Sequence, residues 1–285
     1  MIKVVTDSTS DISPDVAAKF GITVVPMLVN IDGVMHEDGV NLTHETFYAN
    51  LPHYKDVPKT AANSPGTMAD AYRSTGADQV ISIHIARKVS GVCNAADVAA
   101  MDVKDEGDNS IDVRVVDSAT MTVGLGWQAL AAAELAQRGA TLDEILRELE
   151  TLRNKIRLVA MADTLKYLRK GGRVSALNAT VGELLQVKLM IELKDGNISM
   201  FDRVRTRGRG LERVVDEVRK TAAESGGLKK MALIYSGGNM QNDIAMIRSR
   251  LSDLAPFDPA DDVLVTPIIG THFGPLGIGI VMLAP

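Results

Sequence analysis

Short apolar runs alternate with polar stretches that carry helix-start signals through the first half of the chain. Residues 2–6 are the first such run, and residues 22–31 are rich in the β-branched side chains that suit extended backbone. Between them, Ser13-Pro14-Asp15 supplies an N-cap hydroxyl, a proline at the first helical position and an acid in the first turn. Gly21 stops that helix, and Asp32-Gly33 marks a hairpin turn. Thr43 caps a short helix that ends before Pro52, and Ser64-Pro65 opens another that Gly76 closes. Residues 79–85 and 112–116 read as strands, with helices expected from Ser90 onward and over 120–138. Thr141-Leu142-Asp143-Glu144 is a capping box at the start of a further helix. Alternation of this kind predicts a mostly parallel sheet with helices on both faces.

The second half is more mixed. Residues 158–162 read as a strand, Asp163 as the cap of a short helix around 165–168, and Gly171-Gly172 as its end. Residues 188–193 and 197–204 pair as a hairpin about Asp195-Gly196. A helix over 211–224 leads to a strand over 231–235, and Ser236-Gly237-Gly238 precedes another helix. Residues 263–269 and 278–283 are expected as final strands on either side of a glycine-rich loop. The expected class is therefore α/β. An N-terminal domain over 1–155 carries the parallel sheet, and a C-terminal domain over 156–285 carries a mixed one.

Composition narrows the function classes. At 285 residues and 46% hydrophobic, the chain is long enough and apolar enough for two packed domains. A net charge of −5 disfavours nucleic acid as a bulk electrostatic partner. Cys93 is the single cysteine, so no intramolecular disulfide forms, which fits a reducing compartment. The start MIKVVTDSTSD lacks the basic and apolar regions of a signal peptide, and no apolar run reaches membrane-spanning length. A cytoplasmic location is expected. Aromatic residues make up only 4%, against 13 methionines, whose flexible side chains suit an adaptable apolar cavity.

Three polar motifs stand out: Thr60 in KTAANSP, Ser90-Gly91 in RKVSGVCNAA, and Thr271-His272 between Gly270 and Gly274. Thr60 and Ser90 each precede a segment with helical potential, where a hydroxyl either caps the helix or, beside free N–H groups, receives a carboxylate. His272 is the one histidine set among glycines, which permit close approach of a ligand. The other histidines show no metal-ligand spacing, so neither metal nor cofactor is expected. Asp7-Ser8-Thr9-Ser10-Asp11 follows the first strand, where open parallel sheets bind ligands. Its aspartates are four apart, too far for a phosphatase nucleophile pair. The glycines at 274, 277 and 279 cannot form a dinucleotide loop, because no helix can follow them. Arginines at 203, 205, 207 and 209, and Arg169-Lys170-Gly171-Gly172-Arg173, are basic clusters that serve either as solvated surface or as a docking patch.

Together these segments resemble the DegV family of bacterial fatty-acid-binding proteins from end to end. The matching stretches are VTDSTSD, Thr60 with Ser64-Pro65, VSG at 89–91, VVDS at 115–118, TLKYLRKGGRVS at 164–175 and GTHFGP at 270–275. The resemblance implies two α/β domains with an apolar tunnel between them and no catalytic activity in this chain alone. It implies that a long-chain fatty acid is bound there and presented to a separate ATP-using kinase subunit, which makes an acyl phosphate. Thr60, Ser90 and His272 would contact the carboxylate, with Asp7, Ser8, Gly91, Thr271 and Gly274 as neighbours. Arg173 would face the kinase, and transient contact with a membrane is compatible with such a carrier. Ala61-Ala62-Asn63, Val92-Cys93, Leu189 and Leu276 depart from the family's usual pattern at expected pocket walls, which leaves chain length and saturation preference open. Two other readings stay in play: a small hydrolase or phosphatase using Asp7 and His272, and a lipid-sensing regulator that binds a partner through its arginines.

Overall fold

The computed structural model describes residues 1–105, 107, 110–173, 187–257 and 262–285. Val174 and Ser175, the end of the motif that begins at Thr164, lie outside the described residues.

The N-terminal half runs β1 Ile2–Asp7, α1 Pro14–Phe20, β2 Ile22–Val25, β3 Leu28–Ile31, β4 Val34–Glu37, α2 His44–Asn50, β5 Lys59–Ala61, α3 Pro65–Ser74, β6 Gln79–His84, α4 Val92–Lys104, β7 Asp112–Asp117, α5 Val123–Gln137 and α6 Leu142–Lys155. Four of these strands form a wholly parallel sheet in the order β2-β1-β6-β7. The predicted caps are in place. Ser13, Thr43 and Ser64 each accept a backbone N–H of the first helical turn. Thr141 and Glu144 close the capping box. Gly21 ends α1 at φ 65°, a left-handed conformation that glycine takes without a Cβ clash.

The apolar stretch over 22–31 divides into two strands, because Pro26 has no N–H to continue a ladder. Its carbonyl accepts from Asn63 Nδ2 at 2.8 Å, and Met27 N–H donates to Ser8 Oγ at 3.1 Å. Beyond this break β3 leaves the parallel sheet and joins a small antiparallel sheet, β4-β3-β5, which carries Thr60.

The C-terminal half runs β8 Ile156–Ala162, α7 Lys166–Lys170, β9 Lys188–Lys194, β10 Asn197–Val204, α8 Arg207–Glu224, β11 Lys230–Ser236, α9 Gln241–Leu251, β12 Val263–Leu264, α10 Pro267–Phe273 and β13 Gly277–Leu283. Its sheet has the order β10-β9-β8-β13-β11-β12, antiparallel except where β12 lies parallel to β11. The mixed sheet expected from the hairpins is present. Successive strand residues point to opposite faces. Val159, Met161, Met190, Leu233 and Ile280 pack with Val214, Val218 and Ile247 of α8 and α9. Leu158, Ala160, Ile191, Leu193 and Ile234 belong to the other core, shared with the N-terminal half.

Several expectations are corrected. The strand over 263–269 is only two residues long, and the rest of that segment is helix α10. Pro267 sits at its first position, where the missing N–H costs nothing and the fixed φ suits a helix. Gly270 lets α10 abut α2, since a Cβ there would come within 2.8 Å of Tyr48 Cζ. Thr271 and His272 thus lie on the last turn of a packed helix rather than in a glycine-rich loop. The helix expected from residue 120 starts at Val123, because Ala119 and Thr122 hold positive φ of 54° and 55°. Asp163 does not cap α7. It pairs with Lys188 at 2.7 Å and Arg207 at 2.9 Å. Finally, α8 starts four residues earlier than expected, capped by Thr206.

Candidate functional site

The face of the six-stranded sheet that carries Ala160 and Ile191, together with α10 and the loops after β6 and β7, encloses a narrow slot of about 100 Å³. That is several times the space one water needs. Leu158, Ala160, Ile191, Leu193 and Ile234 form one wall, and Met27, Ile85, Met121, Ile268, Ile269 and Phe273 contribute to the others. Among the described residues, the polar side chains on its lining are Thr60, Ser90, Thr122, Arg173 and His272.

Four residues singled out by sequence, from segments more than two hundred positions apart, therefore meet in one cavity. Thr60 Oγ1 and His272 Nε2 are 2.9 Å apart. Burial, and secondarily the nearby Arg173 charge, push the His272 imidazole down to about 4, so it is neutral near pH 7. Its Nδ1 is buried and makes no hydrogen bond among the described residues. Arg173 donates to the Gly171 carbonyl at 2.7 Å and is half-buried. Ser90 lies one residue before the Gly91 N-cap of α4, and its hydroxyl accepts from Val92 N–H at 3.4 Å. A carboxylate in this cavity would find hydroxyl donors, a guanidinium and an imidazole that can donate from one nitrogen.

The remaining named residues lie outside the lining. Asp7 is fully buried at the end of β1: its oxygens accept from Thr9 and from Ile85 N–H at 3.1 Å, and face His84 Nδ1 at 3.0 Å. Burial pushes its carboxyl up, but His84 and these donors outweigh that and hold it below the usual carboxylate range. Ser8 Oγ donates to Asp38 at 2.6 Å. Gly91 is exposed, and Thr271 is buried with its hydroxyl on the Pro267 carbonyl at 2.9 Å. Gly274 ends α10 at φ 75°, where a Cβ would come within 2.9 Å of Tyr167 Cγ.

The structure does not assemble a hydrolase from Asp7 and His272, since each is engaged with a different partner. It does contain the series Asp7–His84–Ser82, with His84 Nε2 2.7 Å from Ser82 Oγ and that hydroxyl 2.9 Å from Tyr72 Oη. The order resembles a nucleophile–base–acid set. All four side chains are wholly buried and none lines the cavity, so the series braces β1 against β6 beneath Ile85. The arginine run also divides. Arg207 is locked between Asp163 and Asp243, at 2.9 and 2.7 Å, and is no free docking charge.

Sequence reasoning missed Met121 and Thr122. Both enter the cavity because of the positive-φ residues that precede α5, a strained arrangement for a β-branched residue such as Thr122. It also missed the space requirement at Gly171. A Cβ there would overlap the His272 ring, reaching 2.9 Å from Cε1.

A family model described as "Uncharacterised protein, DegV family" matches residues 1–284. The chain belongs to the DegV family. It is 34% identical over 283 residues to a DegV domain-containing protein of Deinococcus radiodurans, covering 99% of this chain and 98% of the relative. Among solved structures, a fatty-acid-binding DegV protein from Thermus thermophilus superposes with a TM-score of 0.84 at 29% identity, over 100% of this chain and 99% of the other. DegV from Bacillus subtilis, described as a fatty acid binding protein, gives 0.87 at 28% identity with the same coverage. A stearic acid-binding protein from Eubacterium ventriosum gives 0.88 at 26%, over 100% and 98% of the two chains. The two-domain α/β architecture of this chain is thus that of DegV proteins. No described helix is long and apolar enough to cross a membrane. Among the described residues, no group of three or more His, Cys, Asp or Glu side chains is placed to hold a metal ion.

Proposed function

We propose that this chain binds a long-chain fatty acid in the slot between its two halves, divided near residue 155, and holds the carboxylate with Thr60, Ser90 and His272. The observation that supports this most directly is the cavity itself: among the described residues its lining is apolar except for five polar side chains, and three of those are the hydroxyl and imidazole groups named above. Each methylene buried contributes roughly 0.8 kcal/mol, so affinity would rise with the length of acyl chain that the slot takes up, before ordering costs. The hydrocarbon would supply affinity. The polar groups would offset desolvation of the carboxylate and select an acid over an alcohol or ester. Fatty-acid binding by the related DegV structures supports the same reading.

The chain carries no Walker lysine motif. We infer that it works in the cytoplasm as a carrier, presenting the acid to a separate ATP-using kinase subunit for acyl-phosphate formation, with Arg173 at the contact. The first experiment is mass spectrometry of an organic extract of the purified protein, followed by fatty-acid uptake after delipidation. Absence of acyl chains together with no uptake would overturn the binding reading. For the kinase step, Arg173→Ala is expected to slow acyl-phosphate formation at saturating fatty acid about tenfold or more, as loss of a charge-assisted contact would, a loss that the accompanying drop in fatty-acid affinity does not account for.

A further inference from the structure

The segment VVDS at 115–118 is not among the described residues that line the slot, but its aspartate ties together two loops that are. Asp117 ends β7, and its Oδ1 accepts two backbone N–H groups. One is Ala119 N–H of its own loop, at 2.8 Å, and the other is Arg87 N–H of the loop after β6, at 3.1 Å. The loop after β6 brings Ile85, Val89 and Ser90 to the slot, and the loop after β7 brings Met121 and Thr122. A single carboxylate oxygen is therefore shared between them.

The ties around Asp117 lead to Ser90. Ser118 N–H donates to the His84 carbonyl at 3.0 Å and Ala86 N–H to the Thr120 carbonyl at 2.8 Å, which keeps the two loops side by side beyond their strands. The chain then turns back, and the Ala86 carbonyl accepts from Val89 N–H at 3.0 Å and from Ser90 N–H at 3.2 Å. Arg87 stands inside that turn. Its N–H is on Asp117, and its Nη1 donates to Asn94 Oδ1 at 2.7 Å and Asp97 Oδ2 at 2.6 Å, both on α4. The Ser90 hydroxyl thus takes its place from a turn fastened to Asp117 on one side and to α4 on the other. On the second loop, Ala119 holds a φ of 54°, a costly conformation for a residue with a Cβ, and the Asp117 acceptor offsets part of that cost.

These are contacts of a loop near the surface rather than of the core. Arg87 is exposed and Asp117 half-buried, so water can satisfy the N–H groups that loss of the carboxylate would release. Removing it spares the fold and loosens the loops.

We propose that Asp117 is a positioning residue for the fatty-acid carboxylate: through Arg87 N–H it fixes the turn that aims the Ser90 hydroxyl into the slot. The inference rests on the reading of Ser90 as a carboxylate donor. Asp117 acts through that hydroxyl and not on the ligand, and a hydrogen bond weakens steeply once its donor is misaligned.

Equilibrium binding of palmitate and of hexadecanol to the delipidated full chain tests it. Asp117→Ala is expected to weaken palmitate about three- to tenfold and hexadecanol less than about twofold. Asp117→Asn keeps an Oδ1 acceptor and should bring palmitate back to within about twofold of the parent. Combined with Ser90→Ala, Asp117→Ala should add nothing to the loss that Ser90→Ala causes alone, because both act through one hydroxyl. Circular dichroism confirms folding. Where Asp117→Ala does not fold, Asp117→Glu, which keeps the charge but displaces the oxygen by a methylene, takes its place with the same expectation. Parent-like palmitate affinity, an equal loss for acid and alcohol, no recovery in Asp117→Asn, or losses additive with Ser90→Ala would overturn the proposal and leave fatty-acid binding standing. A parent that takes up no fatty acid overturns the binding reading, and this inference with it.

Discussion

Thr60 Oγ1 and His272 Nε2 lie 2.9 Å apart across 212 positions of sequence, one on a short edge strand and the other on the last turn of a buried helix. The contact ties the small antiparallel sheet to α10 at the polar part of the slot. The Thr60 hydroxyl can donate to or accept from Nε2, so it holds the neutral ring in place beside the slot and offers its remaining hydrogen-bonding capacity to a ligand. Thr60→Val keeps the shape and removes that contact. We expect fatty-acid affinity to fall about tenfold, the scale of one hydrogen bond to a charged group, with little change in the unfolding midpoint. An affinity within about twofold of the parent would remove Thr60 from the headgroup grip.

Gly171 is the wall behind the His272 ring. Its φ of −77° is open to any residue, and alanine normally stabilises a helical position by roughly 1 kcal/mol relative to glycine. Here a Cβ would overlap the imidazole. Gly171→Ala is therefore expected to destabilise the chain by about 1–3 kcal/mol, the usual cost of overpacking, and to weaken ligand binding. Adding His272→Ala should relieve most of the stability loss. Chemical denaturation of the two single variants and the double variant measures the coupling, and additive effects would show that the ring and Gly171 do not interact.

Where sequence reading succeeded, local chemistry decided the structure. Ser13-Pro14, Ser64-Pro65, the Thr141–Glu144 box and the Asp32-Gly33 and Asp195-Gly196 turns act within a few residues, and all formed as expected. The segment over 263–269 failed because its β-branched residues favour a strand, while Pro267 and the packing of Gly270 against Tyr48 of the distant α2 make it a helix. Asp163 was read as a cap because local sequence cannot reveal Lys188 and Arg207. Thr60, Ser90, His272 and Arg173 were legible as candidates through their polar setting and family resemblance. Thr122 and Gly171 were not, since backbone strain and ring clearance exist only once the chain is folded.

The neutral state of His272 has a pH consequence. Its ordinary value of 6.5 falls to about 4 in the fold, so on acidification the unfolded chain takes up the proton first. Stability linked to this residue is therefore lost as pH drops from about 6.5 to 4, by up to about 3 kcal/mol. Asp38 acts with the opposite sign over nearly the same range, because its carboxyl is raised from 3.8 to about 6 and the folded chain protonates first. The total pH profile mixes the two, so the informative quantity is the difference between parent and His272→Gln. Urea denaturation at several pH values should show the variant gaining on the parent as pH falls. A constant difference would mean that His272 is not held neutral.

Strand alternation in β8 gives the last prediction. Ala160 lines the slot, while the adjacent Met161 points into the α8–α9 core on the other face of the sheet. Leucine at 160 adds three carbons to the slot wall and should shorten the acyl chain that fits. Each methylene excluded from burial forfeits about 0.8 kcal/mol, or roughly fourfold in affinity. Ala160→Leu is expected to weaken long acids by at least about tenfold, while acids a few carbons shorter are spared. Met161→Leu, a volume-conserving change on the opposite face, should cost less than about 1.5 kcal/mol of stability and leave chain-length preference unchanged. Competition binding with a series of saturated acids distinguishes the two. Equal selectivity in both variants would place the hydrocarbon somewhere other than against this face of β8.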